Sequence, residues 1–424
     1  MTSVLILSLL AARLLPMYLT GAWVEAGQRV PTTGERLMQN PAIRSAVERL
    51  KREEPYVVEQ QLRLCEIAAP PFHEAARAAA YKQSFEALGL TNVRIDSVGN
   101  VLGERAGMAL GPHLVFSAHL DTVFPAETKV VPSRSGAILS GPGIGDDCRG
   151  LAVLLGVIRA LNAANLQTAG TITFVGTVGE EGLGDLRGVK HLFGGGLKHP
   201  VDRFISVDGA GLGITNTAVG SLRYRVTFKG AGGHSYGDFG IANPVHALGR
   251  AVARIADLQV PREPRTTFNV GRIGGGTSVN SIAPEAWMEV DLRSADPAAL
   301  TALDAGFQKA LELALTDENE RWTNSGRLTM EKVVVGNRPG GRTAPEAPIV
   351  STAVSVTRAL GQQAEVDEGS TDANIPISLG IPALTIGGGG SATGTHTTAE
   401  TFDTTDSWQG TARAFLVAIA LSER

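Results

Sequence analysis

The sequence predicts an α/β fold interrupted by an inserted α+β unit. Two observations carry the α/β part: four short β-branched or aromatic apolar runs bounded by turn residues, and helical periodicity between them. A third carries the insert: the middle of the chain switches to strict alternation, and α/β patterning resumes at Pro348. At 424 residues the chain is too long for one compact core and long enough for two domains.

At the N-terminus, residues 4–24 are largely apolar, broken by Arg13 and Pro16. The basic start of a secretory signal is missing, while Val24-Glu25-Ala26 is a passable cleavage site. The stretch is long enough to span a bilayer, with Arg13 costly near its middle. Export or N-terminal anchoring is expected in preference to a cytoplasmic chain with an apolar leader, and residues 1–39 are set apart as leader and linker.

A helix is predicted over 40–64 from Ile43, Val47, Leu50, Val57 and Leu62 spaced among charges, and Pro70-Pro71 ends that pattern. A second follows over 75–88, closed by Gly89. The four strand-length runs are 113–118, 171–177, 203–207 and 382–386, with a helix expected over 150–164. In the middle, 221–229 alternates with Leu222, Tyr224, Val226 and Phe228 on one face. Asn243-Pro244 is an N-cap followed by proline and opens a helix to about 258. Strands over 266–273 and 286–293, a helix opened by Asp296-Pro297 and a strand over 327–335 complete the order β-α-β-β-α-β of a ferredoxin-like unit. The expected division is therefore 40–216 and 337–424 for the α/β domain, and 217–336 for the insert.

Composition narrows the function. With 43% hydrophobic and 19% charged residues the chain reads as an ordinary globular protein. Its formal net charge of -4, without a basic stripe interleaved by aromatics, gives no reason to expect nucleic acid. The two cysteines, Cys65 and Cys148, do not make a disulfide framework.

In open α/β sheets, ligands bind beyond the carboxyl ends of the strands. Ionisable residues follow each of the four runs there: His119 and Asp121, then Glu180 and Glu181, then Asp208, and past a glycine run His396. Asp146-Asp147 lies on a glycine-rich loop before the 150–164 helix. Taken singly, each has an ordinary reading as a surface histidine, a solvated turn or a cap. Together they concentrate acid pairs and imidazoles at one sheet edge, and divalent cations are the simplest compensation. Imidazole with carboxylate suits zinc, and one carboxylate can bridge two ions about 3.5–4 Å apart.

The stretches His119-Leu120-Asp121-Thr122, Gly141-Pro142-Gly143-Ile144-Gly145-Asp146-Asp147, Gly179-Glu180-Glu181-Gly182, Val207-Asp208-Gly209 and Gly394-Thr395-His396-Thr397-Thr398 resemble, in order, the motifs of a zinc exopeptidase and deacylase family. That family includes peptidase T, glutamate carboxypeptidase, carnosinase, acetylornithine deacetylase and succinyl-diaminopimelate desuccinylase. The resemblance runs from about Glu54 to the C-terminus and is nearest the peptidase T-like branch. It implies a phosphorylase/hydrolase-like catalytic domain carrying a ferredoxin-like lid that pairs two subunits, and hence a homodimer. It also implies two Zn2+ ions per subunit, with Co2+ or Mn2+ as substitutes. His119, Asp146 and Asp208 would hold one ion, and Asp146, Glu181 and His396 the other.

By the same resemblance Glu180 is the general base, Asp121 orients His119, and His234 of Gly230-Ala231-Gly232-Gly233-His234-Ser235 reaches an active site, often the partner's. Asn280 and Arg293 match substrate contacts, and Asn374 lies in Gly369-Ser370-Thr371-Asp372-Ala373-Asn374, which is similar to a substrate-side loop. The Asp146-Asp147 peptide would be cis. Cys148-Arg149 departs from the lysine-glycine that many members carry, and Asp208 stands where some use glutamate. The substrate implied is a short peptide, or alternatively an N-acyl amino acid cleaved by the same mechanism. A non-catalytic metal-binding protein on this scaffold is the other reading, and the presence of Glu180 speaks for an enzyme.

Overall fold

Four parallel strands form the centre of the molecule: Ile172–Thr177, Leu114–His119, Arg203–Val207 and Ala383–Ile386, in that spatial order. This computed structural model describes residues 30–108, 111–322 and 326–423. From Thr32 onward the chain forms one compact unit. The apolar leader, and with it the expectation of export or anchoring, lies outside the described residues. Among those described, no helix is long and apolar enough to cross a membrane.

The strands Leu114–His119 and Ile172–Thr177 are buried at every position. That follows from a parallel sheet covered on both faces, and explains why they read as continuous apolar runs. The helices Pro41–Cys65, Cys148–Ala163, Pro348–Ala359 and Trp408–Ser422 supply the larger core, with Leu151, Leu154, Phe415 and Val356 fully buried against Phe116, Phe174 and Ile205. A smaller core with Val115, Val175, Leu186 and Phe204 covers the opposite face. From Leu114–His119 the chain passes to a neighbour on one side, then returns to Arg203–Val207 on the other. This is a topological switch point, where a crevice opens beyond the strand ends.

The insert has the expected element order. Its sheet runs Thr266–Gly275, Glu285–Ser294, Gly220–Lys229, Thr329–Arg338, antiparallel throughout. The helices Pro244–Ala256 and Pro297–Arg321 begin at the caps Asn243 and Asp296. Both pack on the face carrying Tyr224, Val226, Phe228, Met288 and Leu292, with Phe307 in the middle. The opposite face is polar, with Arg223, Arg225, Glu289, Asp291 and Arg293 joined in ion pairs.

Two features differ from the sequence reading. Residues 1–39 were set apart as leader and linker, yet Thr33–Gln39 is a helix with a Thr32/Glu35 capping box. It packs on Pro348–Ala359, and Gly34 N–H donates to Ser355 Oγ at 2.7 Å. A Cβ at residue 34 would lie 2.4 Å from Ser355 O, so only glycine permits that approach. The compact unit thus begins near residue 32. The second difference is a set of short strands: Thr91–Ile95, Val101–Arg105 and Ile214–Ala218 extend the main sheet, and Ser133–Ser135, Ile138–Ser140, Ser391–Thr393 and Thr401–Asp403 form a small separate one. Most are too short or too polar to show a period of two.

Candidate metal centre

Each of the central strands delivers a side chain to the crevice. His119 ends its strand, Asp208 follows Arg203–Val207 directly, and Glu180-Glu181 lie just past Ile172–Thr177. Asp146 precedes the helix Cys148–Ala163, and its peptide bond to Asp147 is cis. His396 stands on the loop after Ala383–Ile386 with φ 66°.

These five residues converge. Asp146 presents one carboxylate oxygen to each histidine: Oδ1 is 2.9 Å from His119 Nε2, and Oδ2 is 3.2 Å from His396 Nε2. Glu181 Oε1 is 2.9 Å from His396 Nε2, and Asp208 Oδ1 is 3.9 Å from His119 Nε2. His119, Asp146 and Glu181 each offer a ligand atom within 4.8 Å of one another. His119 Nδ1 faces the Asp121 carbonyl at 3.0 Å and its carboxylate at 3.7 Å, which directs Nε2 at the cluster.

The electrostatics reflect crowded acids around two imidazoles. Burial opposes ionisation of Asp146, but hydrogen bonds from His119 and His396 hold its carboxyl below the usual range. Burial and the charges of Asp146 and Glu181, against the pull of His119, push Asp208 up to about 7. Hydrogen bonds to Asp146 and Glu181 raise His396 to about 10. Burial alone would lower His119, yet its contacts with Asp121 and Asp146 carry it well above the imidazole value. Two imidazoles and three carboxylates, with one carboxylate shared, are a donor set that fits a pair of divalent cations of the zinc kind.

Three buried carboxylates that are not ligands hold the ligand loops together. Asp121 accepts the N–H groups of Glu180 and Glu181 at 3.0 and 2.8 Å. Asp147 accepts those of His119 and Gly209 at 3.0 and 3.3 Å, and caps the following helix through Gly150 N–H. Glu400 accepts those of Gly143, Gly145 and Asp146. Sequence reasoning missed the last: Glu400 sits four residues after His396 in a polar turn and carries no signal of its own. Arg149, where the resemblance led to glycine, is fully buried; it donates to Glu54 and to the carbonyls of Gly388 and Ser407 behind the cluster.

Glu180 is buried beside the cluster, and Arg338 donates to its Oε1 at 3.0 Å and to its backbone carbonyl. Burial pushes the Glu180 carboxyl well above the usual range, opposed by Arg338. Arg338 ends the last strand of the insert and was also missed; its only sequence mark is a charge before the Pro339-Gly340 turn. Two more contacts dock the insert on the same loop: Arg223 Nη1 donates to Gly182 O at 2.8 Å, and Asn337 N–H to Asp185 Oδ1 at 2.9 Å.

The remaining expected residues lie apart. His234 is exposed, its Nδ1 accepting from Tyr236 and Gly237 N–H; Asn280 is exposed beside it and accepts from Ser278 Oγ. Among the described residues, no hydrogen bond joins either to the ligand loops. Arg293 donates to Asp291 on the polar face, where Ser221 separates it from Arg338 in the sheet. Asn374 corrects its expectation: it is fully buried, donates both amide hydrogens to Val219 O and Pro339 O, and accepts from Thr371 N–H. No donor is left for a substrate.

Sheet, insert and donor cluster define a class, the hydrolases of peptidase and amidohydrolase type. Within it, the model of Peptidase family M20/M25/M40 matches residues 115–420, and the chain belongs to that family. Among curated relatives, the Bacillus subtilis (strain 168) protein YqjE, whose function is uncharacterised, is 27% identical over 78% of this chain and 90% of its own. The succinyl-diaminopimelate desuccinylase of Leptothrix cholodnii is 27% identical over 70% and 80%. Among solved structures, a tripeptidase from Staphylococcus aureus superposes with a TM-score of 0.72 at 23% identity, covering 86% of this chain and 98% of that one. A Bacillus subtilis dinuclear metal-binding peptidase of the M20 family gives 0.63 at 18%, covering 87% and 99%.

Proposed function

We propose that the protein is a two-metal exopeptidase acting on short peptides in the manner of peptidase T. The observation that carries this reading is Asp146, whose two carboxylate oxygens face two histidines, as a bridging ligand requires. His119, Asp146 and Asp208 would hold one ion and Asp146, Glu181 and His396 the other. Zinc fits these donors, and Co2+ or Mn2+ are substitutes. When bound, such a pair supplies Lewis acidity toward water and the scissile carbonyl.

The chain's own residues supply the proton traffic. Arg338 holds Oε1 of Glu180, which leaves Oε2 to take a proton from the attacking water and pass it to the departing amine. Burial favours the protonated carboxyl and so strengthens Glu180 as a base, while Arg338 keeps it ionisable. Asp121 keeps His119 in the tautomer that presents Nε2 and ties it to the Glu180-Glu181 backbone.

His234 and Asn280 are exposed and bonded only within their own loop pair among the described residues, which supports a homodimer in which each insert completes the other subunit's site. A second reading, an N-acyl amino-acid deacylase with the same proton transfers, draws support from the curated relatives named desuccinylases. Metal analysis of the purified protein, combined with kinetics on tripeptides against N-acetyl and N-succinyl amino acids, separates the two. Turnover of acylated amino acids alone would overturn the peptidase reading, and activity indifferent to chelators would overturn both.

A further inference from the structure

Glu400 is fully buried, and among the described residues no basic side chain is bonded to it. Its carboxylate is held instead by three main-chain donors: Gly143 N–H on Oε2 at 2.9 Å, and Gly145 and Asp146 N–H on Oε1 at 2.9 and 3.2 Å. Its own carbonyl accepts from Gly141 N–H at 3.0 Å. The 141–146 loop is shaped to it. A Cβ at residue 145 would come within 2.9 Å of Oε1, and Gly143 adopts φ +75°. The loop's glycines are thus what let the Gly143, Gly145 and Asp146 N–H groups turn inward on one carboxylate.

The two segments tied in this way carry two metal-ligand candidates. Asp146 closes one, and His396 opens the turn that Glu400 ends, with Thr397 N–H on Gly394 O and Glu400 N–H on Thr397 O. These turn bonds are internal to the His396 segment and do not fix it against Asp146. The other side of the cluster is anchored independently of Glu400. His119 N–H is held by Asp147, and Asp208 is held by its own N–H on Ile386 O and by Gly209 N–H on Asp147.

We infer that Glu400 is a positioning residue for the second metal, setting the shared ligand Asp146 against the terminal ligand His396 through the backbone of the 141–146 loop. The inference rests on the two-metal reading above. It assigns distinct supports within the cluster: Asp147 holds the His119 and Asp208 segments, Asp121 joins His119 to the Glu180-Glu181 backbone across both halves, and Glu400 sets Asp146 against His396. A residue that only stabilised the fold would affect both halves alike.

The test is zinc binding to the full-length apo-protein, followed calorimetrically and by metal analysis after dialysis, with apo-state thermal unfolding measured in parallel. In Glu400→Gln one oxygen acceptor remains, while the amide NH2 meets a backbone N–H it cannot accept. The second zinc should bind about 10–100-fold more weakly, the range usual for losing an outer partner of a metal ligand, and the first, whose His119 and Asp208 keep supports that Glu400 does not touch, should lose clearly less. Glu400→Ala should retain one zinc after dialysis where the wild type retains two, and Glu400→Gln keeps the test decisive if the alanine variant does not fold. Wild-type behaviour at both steps in Glu400→Gln would overturn the inference alone, as would equal weakening of both steps with a fall in unfolding temperature. A wild-type chain that takes up fewer than two zinc ions would instead overturn the two-metal reading, and the inference with it.

Discussion

The metal cluster and the His234 loop are built in opposite ways. At the cluster, side chains from five separate segments meet, and buried carboxylates bond the backbone of one ligand loop to the next. At the His234 loop, the hydrogen bonds of His234, Ser235, Asn280 and Ser281 run within the loop pair itself, and Tyr236 and Val279 stand out in solvent. The first region has its geometry imposed by the whole fold before any ligand arrives. The second, among the described residues, makes no hydrogen bond to the ligand loops. The difference teaches that the metal-ligand candidates are brought together within one chain, while the proposed substrate role of the insert calls for a second copy.

The sharpest way to break this comparison is to disable each region separately. Glu180→Gln should keep its metal by elemental analysis and lose roughly 10²–10⁴-fold in kcat, the usual weight of a positioned general base. Near-full turnover would remove Glu180 from its role. His234→Ala should also keep its metal and lose activity. Co-expressing the two inactive variants then decides where His234 works. In a crossed dimer, the mixed species has one site with intact Glu180 and a partner-supplied His234, so about a quarter of wild-type activity returns under random pairing. No recovery in verified heterodimers would confine His234 to its own chain or to no role.

A smaller effect concerns protons. In the metal-free protein, hydrogen bonds to Asp146 and Glu181 hold His396 at about 10, and His119 is also raised. A histidine raised on folding stabilises the apo-protein fully below its unfolded value near 6.5, and that contribution fades as pH climbs toward 10. Asp208, raised to about 7, acts in the same direction over a lower window, from about 4 to 7. Metal uptake must displace these protons, so zinc affinity should rise with pH across 6–9 while apo-state stability falls. Calorimetry at pH 7 in two buffers of different ionisation enthalpy should register proton release; buffer-independent heats would mean the histidines are already neutral.

The two regions also differed in how far the sequence revealed them. His119, Asp146, Glu181, Asp208 and His396 were legible because each follows a buried strand or opens a helix, and strand ends in an α/β sheet are where ligands gather. The insert's elements were legible from alternation and from the caps Asn243 and Asp296. Glu400 and Arg338 were not, because what defines them is long-range: Glu400 meets Gly143 and Gly145 more than 250 positions away, and Arg338 reaches Glu180 across 158. Neither lies in a periodic pattern. The helix Thr33–Gln39 was missed for a different reason: at seven residues it is too short to show a 3.6-residue period, and its Thr32/Glu35 capping box was its one local signal.

Asn374 marks the same boundary with the smallest expected effect. The loop that carries it resembles one facing substrate, yet its amide bridges Val219 O, just before the first strand of the insert, and Pro339 O, just after the last. It therefore pins together the two places where the chain enters and leaves the insert. Asn374→Ala strands two partly buried carbonyls and one N–H of Thr371, at a cost of at most about 1–3 kcal/mol per group and less where water enters. Thermal unfolding should fall by several degrees while KM for a good substrate stays within about threefold, since the hydrogen bonds lost are structural. A KM raised tenfold with an unchanged unfolding temperature would return Asn374 to the substrate side. It would also mean that the insert hinges open far enough in solution to free that amide, so that the division between a rigid cluster and a self-contained loop would have to be drawn at Asn374 rather than at His234.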